Sequence, residues 1–281
     1  MSGPRRKRSR IQKRPGITRR SFLKGLGLGT AGVTGIGLLP ACTSDNNTAL
    51  TDNRTTPSEG PPSQNVQFLH SVASGDPAFD SVVLWTRVTP DNAPENANRT
   101  VAGRVDVFKD EALTLFVKSV NFQTTAAKDF TVKLICDGLE QDTVYFYQFR
   151  SNGKTSPVGR TRTTPAAGNK RPLNFGVVSC SSLAHGFFNA YAKLAERDDI
   201  DAIIHLGDYI YEYGTGQYGN VREYEPATEI VTLSDYRTRH AQYKRDEDLQ
   251  KLHERFPFIT IWDDHESTNN SYRDGAENHT E

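Results

Sequence analysis

The chain has 281 residues, with 34 basic and 34 acidic side chains and a formal net charge of zero. That neutrality averages two unlike parts: the first 24 residues hold ten basic and no acidic side chains, leaving 24 basic against 34 acidic in the remainder. A body with a net charge of −10 excludes a binder of nucleic-acid backbones as the main function, and three cysteines exclude a disulfide-dense scaffold.

A basic arm containing Arg5, Arg6, Lys7, Arg8, Arg10, Lys13 and Arg14 leads into Thr18-Arg19-Arg20-Ser21-Phe22-Leu23-Lys24. Residues 25–41 are then uncharged and rich in glycine. A basic region, a short apolar stretch and small residues at its end mark a targeting segment rather than a folded element. Its seventeen residues and six glycines argue against a spanning helix. The Thr-Arg-Arg-x-Phe-Leu-Lys pattern resembles the twin-arginine signal of bacterial export. It implies the Tat export machinery as a partner and a periplasmic or cell-surface location. The arm is then an extended leader rather than a nucleic-acid tract. Leu39-Pro40-Ala41-Cys42 resembles a lipoprotein cleavage site, with Cys42 acylated as a membrane lipid anchor. Cleavage without lipid and an uncleaved leader are the alternatives. Residues 42–65 are polar and contain prolines; with scarcely an apolar side chain to bury, they form a disordered linker.

Residues 66–165 change to short apolar or alternating runs, with predicted strands at 81–88, 103–109, 115–123, 129–136, 143–150 and 157–163. Phe130, Val132, Leu134 and Cys136 share one face by their period of two. Turn sequences such as Asp137-Gly138 and Asn152-Gly153 separate the runs, and strands at this spacing predict a β-sandwich. The stretch from Leu139 to Tyr145 resembles the tyrosine corner of fibronectin type III-like domains, which makes Tyr145 structural. Cys136 is expected as buried packing.

After Pro165 the pattern changes again. Strands are predicted at 174–179, 201–206 and 258–262, and a helix at 187–198 with Phe187, Phe188, Tyr191, Leu194 and Ala195 on one face. A second helical stretch covers about 234–255, opened by Ser234 as N-cap and divided near Asp246. Strand, helix and strand in this order predict a parallel sheet buried on both faces. His205, inside its strand, is expected as a packed core residue.

Ligands of open α/β sheets gather beyond the carboxyl ends of the strands. Three polar groups fall there: Cys180 after the first strand, Gly207-Asp208-Tyr209-Ile210-Tyr211-Glu212-Tyr213 after the second, and Asp263-Asp264-His265-Glu266 after the third. Carboxylates, a thiol, a phenol and an imidazole on one rim are metal-ligand types. Asp263 is expected to orient rather than ligate, and Asn269 and Asn270 are given no role.

Residues 66–281 resemble the PhoD-type alkaline phosphatase/phosphodiesterase family of the metallophosphoesterase superfamily, on the motifs SVASGDP, VVLWTRV, VVSCSS, HLGDYIYEYG and IWDDHE. The resemblance implies an α+β two-domain chain: a fibronectin type III-like β-sandwich over 66–165, then an incomplete α/β metallophosphoesterase sandwich over 166–281. It also implies a mixed Fe(3+) and Ca(2+) site. Cys180 and Tyr211 would hold iron, Asp208 would bridge the two metals, Asp264 would be a second-metal ligand, and His265 the substrate-facing catalytic histidine. The implied activity is hydrolysis of phosphate esters by a metal-activated oxygen nucleophile. A nucleic-acid-binding role is expected only through use as substrate.

The chain ends sixteen residues past His265, short of the later strands that supply further ligands in this superfamily. A truncated chain with exposed parallel-sheet edges, weakly active or inactive alone, is therefore expected. The alternative is a non-catalytic or degenerate surface-anchored binding lipoprotein.

Overall fold

The computed structural model describes residues 65–91 and 100–276. The leader and the linker as far as residue 64, Cys42 included, lie outside the described residues. Thirteen strands occur among them: β1 (Val66–Gln67), β2 (Val72–Gly75), β3 (Val82–Arg87), β4 (Thr89–Pro90), β5 (Thr100–Phe108), β6 (Phe116–Thr125), β7 (Thr131–Cys136), β8 (Val144–Ser151), β9 (Lys154–Thr155), β10 (Gly159–Arg162), β11 (Phe175–Val178), β12 (Ala202–His205) and β13 (Pro257–Thr260). Three α-helices accompany them: α1 (Asn189–Ala195), α2 (Leu233–Tyr243) and α3 (Glu247–Arg255).

The first half is two sheets enclosing one apolar core. In one sheet the order is β10-β8-β5-β6, with β9 on β8; the other contains β2, β3 and β7. The alternation read from the sequence sets which side chains point inward. Val82, Leu84 and Thr86 are buried from β3, and Tyr145, Tyr147 and Phe149 from β8. Phe130, Val132 and Cys136 are buried as predicted, with Leu134 packed against the same core. Each large apolar side chain removed from water contributes about 1.5–3 kcal/mol. Tyr145 is 1% exposed and its hydroxyl accepts a hydrogen bond from Glu140 N at 2.8 Å, closing the corner the sequence suggested.

In the second half β11, β12 and β13 are parallel, with Val177 beside Ile204 and Ile204 beside Ile259. Helices α1 and α3 cover one face, burying Tyr191, Leu249 and Leu252 against Ile203 and Phe258. The expectation of burial on both faces is overturned. Phe175, Val177 and Ile259 are 44%, 59% and 40% exposed, because among the described residues nothing packs on that side. Phe187, which the sequence pattern puts on the buried face of a helix, instead precedes α1 and is 67% exposed, with the Arg222 guanidinium 5.1 Å from its ring centroid.

The parallel strands do not end in a free edge at β13. Pro257 and Phe258 pair in parallel with Ser74 and Gly75, so a single six-stranded sheet runs β11-β12-β13-β2-β3-β7. The close fit is visible at Gly75, where a Cβ would lie 2.9 Å from Phe258 O. The long helical stretch divides at Asp246 as predicted, because its carboxylate caps α3 through Asp248 N and Leu249 N, both at 3.1 Å. Its opening residue differs. Thr232, not Ser234, is the N-cap of α2, since Thr232 and Asp235 form a reciprocal capping box.

Candidate metal centre

Three loops leave the carboxyl ends of β11, β12 and β13 and are bonded to one another. Cys180 N donates to Gly207 O at 3.1 Å and Ser181 N to Asp208 O at 2.9 Å, which ties the first loop to the second. Gly207 has φ +105°, and a Cβ there would stand 2.4 Å from Asp263 N, so the second loop runs against the backbone of the third. Cys180 and Asp208, at φ 57° and 53°, both sit in the left-handed region that non-glycine residues rarely occupy. Such backbone strain concentrates at functional sites.

Asp208, Asp264 and His265 each offer a ligand atom, and the three atoms lie within 4.8 Å of one another. Asp208 is 5% exposed and His265 8%. Asp208 Oδ1 accepts from His265 N at 3.3 Å, and Oδ2 accepts from the Tyr211 hydroxyl at 3.2 Å. Burial raises the Asp208 pKa above the usual carboxylate range, and the neighbouring charge of Asp264 adds to it. The His265 amide and the Cys180 thiol, both hydrogen-bonded to Asp208, act in the opposite direction. Burial, helped by the charge of Asp208, lifts the Tyr211 phenol far above its ordinary value.

The sequence-predicted residues therefore separate into groups. Asp208, Asp264 and His265 form the cluster, and Tyr211 and Cys180 border it through Asp208. Cys180 is exposed and Cys136 buried, both as free thiols. Asp263 is exposed. His205 is fully buried, as expected, with Ser181 Oγ 3.2 Å from its Nε2. Its backbone neighbour Gly207 N donates to its Nδ1 at 3.3 Å.

Two glutamates within the rim motifs, for which the sequence pattern indicates no role, build the site. Glu212, 1% exposed, lies 2.8 Å from His265 Nδ1 through Oε2 and accepts from Asn269 N at 2.7 Å through Oε1. This leaves Nε2 of His265 for the site, the carboxylate–histidine arrangement that orients metal-binding imidazoles. Glu266 accepts from three backbone amides: Asp208 N at 3.1 Å, Tyr209 N at 2.6 Å and Asp263 N at 2.9 Å. It clamps the second loop to the third. Arg239, fully buried, holds the following segment by donating to Tyr211 O, to Glu225 O at 3.1 Å and to Pro226 O at 3.0 Å. The only sequence signal for the glutamates was proximity, four residues after Asp208 and one after His265.

Two family models match this sequence. The model described as PhoD-like phosphatase covers residues 175–281, and that described as PhoD-like phosphatase, N-terminal domain, covers residues 54–165. Alkaline phosphatase D of Bacillus subtilis (strain 168) is 44% identical over 210 residues, which are 72% of this chain and 36% of that protein. The solved structure of PhoD superposes with a TM-score of 0.71 at 40% identity, over 80% of this chain and 43% of the other. The chain thus spans less than half the length of these relatives.

Proposed function

Because this chain belongs to the PhoD-like phosphatase family, we propose that its Asp208–Asp264–His265 cluster serves metal-assisted hydrolysis of phosphate esters, as an alkaline phosphatase/phosphodiesterase. The observation that carries this reading is the convergence of three ligand atoms within 4.8 Å from two separate strand ends, on a rim stitched by backbone bonds. The donor set fits the implied metals: carboxylates suit calcium, while a thiolate and a phenolate suit ferric iron. Asp208 and Asp264 would hold metal directly, with Cys180 and Tyr211 completing the iron side and His265 facing the substrate from the same cluster.

When bound, the cations would polarise the phosphoryl oxygens and neutralise charge developing at phosphorus. The residues of the chain supply the rest. Glu212 fixes the imidazole of His265 through Nδ1 and leaves Nε2 toward ligand or substrate. Glu266 holds the amides of Asp208 and Asp263 and so ties the two loops together at a fixed spacing. The proton on the Tyr211 hydroxyl, held by Asp208, must leave before the phenol can ligate. The twin-arginine leader supports export to the periplasm or cell surface, Cys42 supports a lipid anchor there, and the Tyr145 corner supports a fibronectin type III-like first domain.

Metal analysis tests the reading. Purified protein is expected to carry stoichiometric iron and calcium, with a visible thiolate or phenolate charge-transfer band that disappears in Asp208→Asn. A colourless protein that takes up neither metal would overturn it and favour the binding-lipoprotein alternative.

A further inference from the structure

A cleft of about 950 Å³ opens between the sandwich and helix α2, and none of its lining residues belongs to the metal centre. Its charge is opposite to that of the protein around it. Arg87, Lys128, Lys133, Arg237 and Lys244 line it against a single acid, Asp129. Asp129 is already paired with Arg87 at 2.7 Å. Lys128 and Lys133 are exposed and form no ion pair among the described residues. Arg87 is taken up by Asp129, and Lys128, Lys133 and Arg237, which pair with no acid among the described residues, leave the cleft with an excess of positive charge in a body that carries ten more acidic than basic side chains. Electrostatic focusing in such a concavity favours an anion.

The remaining walls are aromatic. Trp85 enters from β3, Tyr236 and His240 from α2. The Lys244 Nζ stands 4.9 Å from the Trp85 ring centroid, which places a polar group directly beside a flat apolar surface. Small-molecule sites have this composition and size: apolar walls, a few convergent polar groups and a volume of about 300–1,000 Å³.

We propose that this cleft is a second ligand site, taking an organic phosphate with a flat aromatic body, of the mononucleotide class. The phosphate meets Lys128, Lys133 and Arg237, and the ring lies along Trp85 and Tyr236. The inference stands on the cleft alone and does not depend on the phosphoesterase reading. The site is placed to influence the metal centre, because the Tyr236 hydroxyl donates to Ser267 O at 3.1 Å in the loop that carries His265.

Fluorescence tests it. The chain has two tryptophans, so a Trp262→Phe background leaves Trp85 as the sole reporter. Titration with AMP in EDTA, which suppresses turnover, is expected to give saturable quenching with a Kd below about 1 mM. Reversing the two exposed lysines, as Lys128→Glu with Lys133→Glu, is expected to weaken AMP at least ~10-fold without changing the thermal midpoint. Asp208→Asn in the same background is expected to leave the Kd unchanged, which separates this cleft from the metal centre. Absence of saturable quenching overturns the proposal, as does a Kd indifferent to charge reversal. Inorganic phosphate or adenosine binding as tightly as AMP overturns it too, since the cleft would then read only one end of the ligand.

Discussion

Replacing Glu266 with alanine removes the one carboxylate that accepts from Asp208 N, Tyr209 N and Asp263 N together. Hydrogen bonds to a charged acceptor contribute about 1.5–3 kcal/mol each, and an orphaned buried donor costs about 1–3 kcal/mol. Asp263 is exposed, so water satisfies its amide; Asp208 is buried, and Tyr209 half-buried. Counting mainly those two amides gives a loss of about 3 kcal/mol. At a urea m-value of about 2 kcal/mol/M, the unfolding midpoint falls by roughly 1.5 M. Metal affinity should fall about 10–100-fold, the usual cost of losing a residue that orients a ligand loop. Glu266→Gln separates geometry from charge. Its carbonyl can still accept from Asp208 N and Asp263 N, while its amide nitrogen faces Tyr209 N, so about half the stability loss is expected. Urea unfolding followed by circular dichroism, together with calorimetric metal titration, measures both quantities. If Glu266→Ala keeps the wild-type midpoint and metal affinity, the clamp has no energetic role and the argument fails.

Other expectations rest on single features. Gly207→Ala places a methyl 2.4 Å from Asp263 N at a φ of +105°, so the two loops must separate; metal titration should register a loss of at least ~10-fold. Tyr145→Phe removes the bond to Glu140 N, whose exposed residue lets water replace the partner, and should lower stability by about 0.5–1.5 kcal/mol, with metal binding unaltered. Lys244 is depressed by burial from 10.5 to about 7. Between those values the unfolded chain binds a proton that the folded chain does not, so its contribution to stability grows as pH rises from 7 to 10.5. Relative to Lys244→Met, the wild type should gain roughly 2–3 kcal/mol across that window, less than full burial would give because the side chain reaches cleft water. In acid the buried histidines act with the same sign. His70 and His205 are lowered by burial to about 3 and about 4, so stability should fall as pH drops from 6.5 through those values. His70→Phe should reduce the proton uptake on acid unfolding, measured as the slope of stability against pH.

The local pieces and their order were legible in the pattern of residues along the chain. Period-two runs placed Phe130, Val132 and Cys136 inward, because a strand alternates its faces whatever it pairs with. Short apolar runs ending in polar groups put Cys180, Asp208 and Asp264 at strand ends, and parallel pairing of those strands then gathered them on one rim. Asp246 was legible as a break because a cap acts through its own neighbours. Other features arise from partners distant in sequence and took shape only on folding. The pairing of Phe258 with Gly75 merges the parallel strands with the sandwich, and no local pattern encodes a partner more than 180 residues away. The exposed face of Val177 and Ile259 follows from what packs there, not from hydropathy, which is why an apolar run read as buried on both sides. Glu212 and Glu266 look in sequence like any acidic residue beside a motif. Their function comes from the amides and imidazole that the folded loops bring to their carboxylates, and those distances exist only once the three strand ends stand side by side.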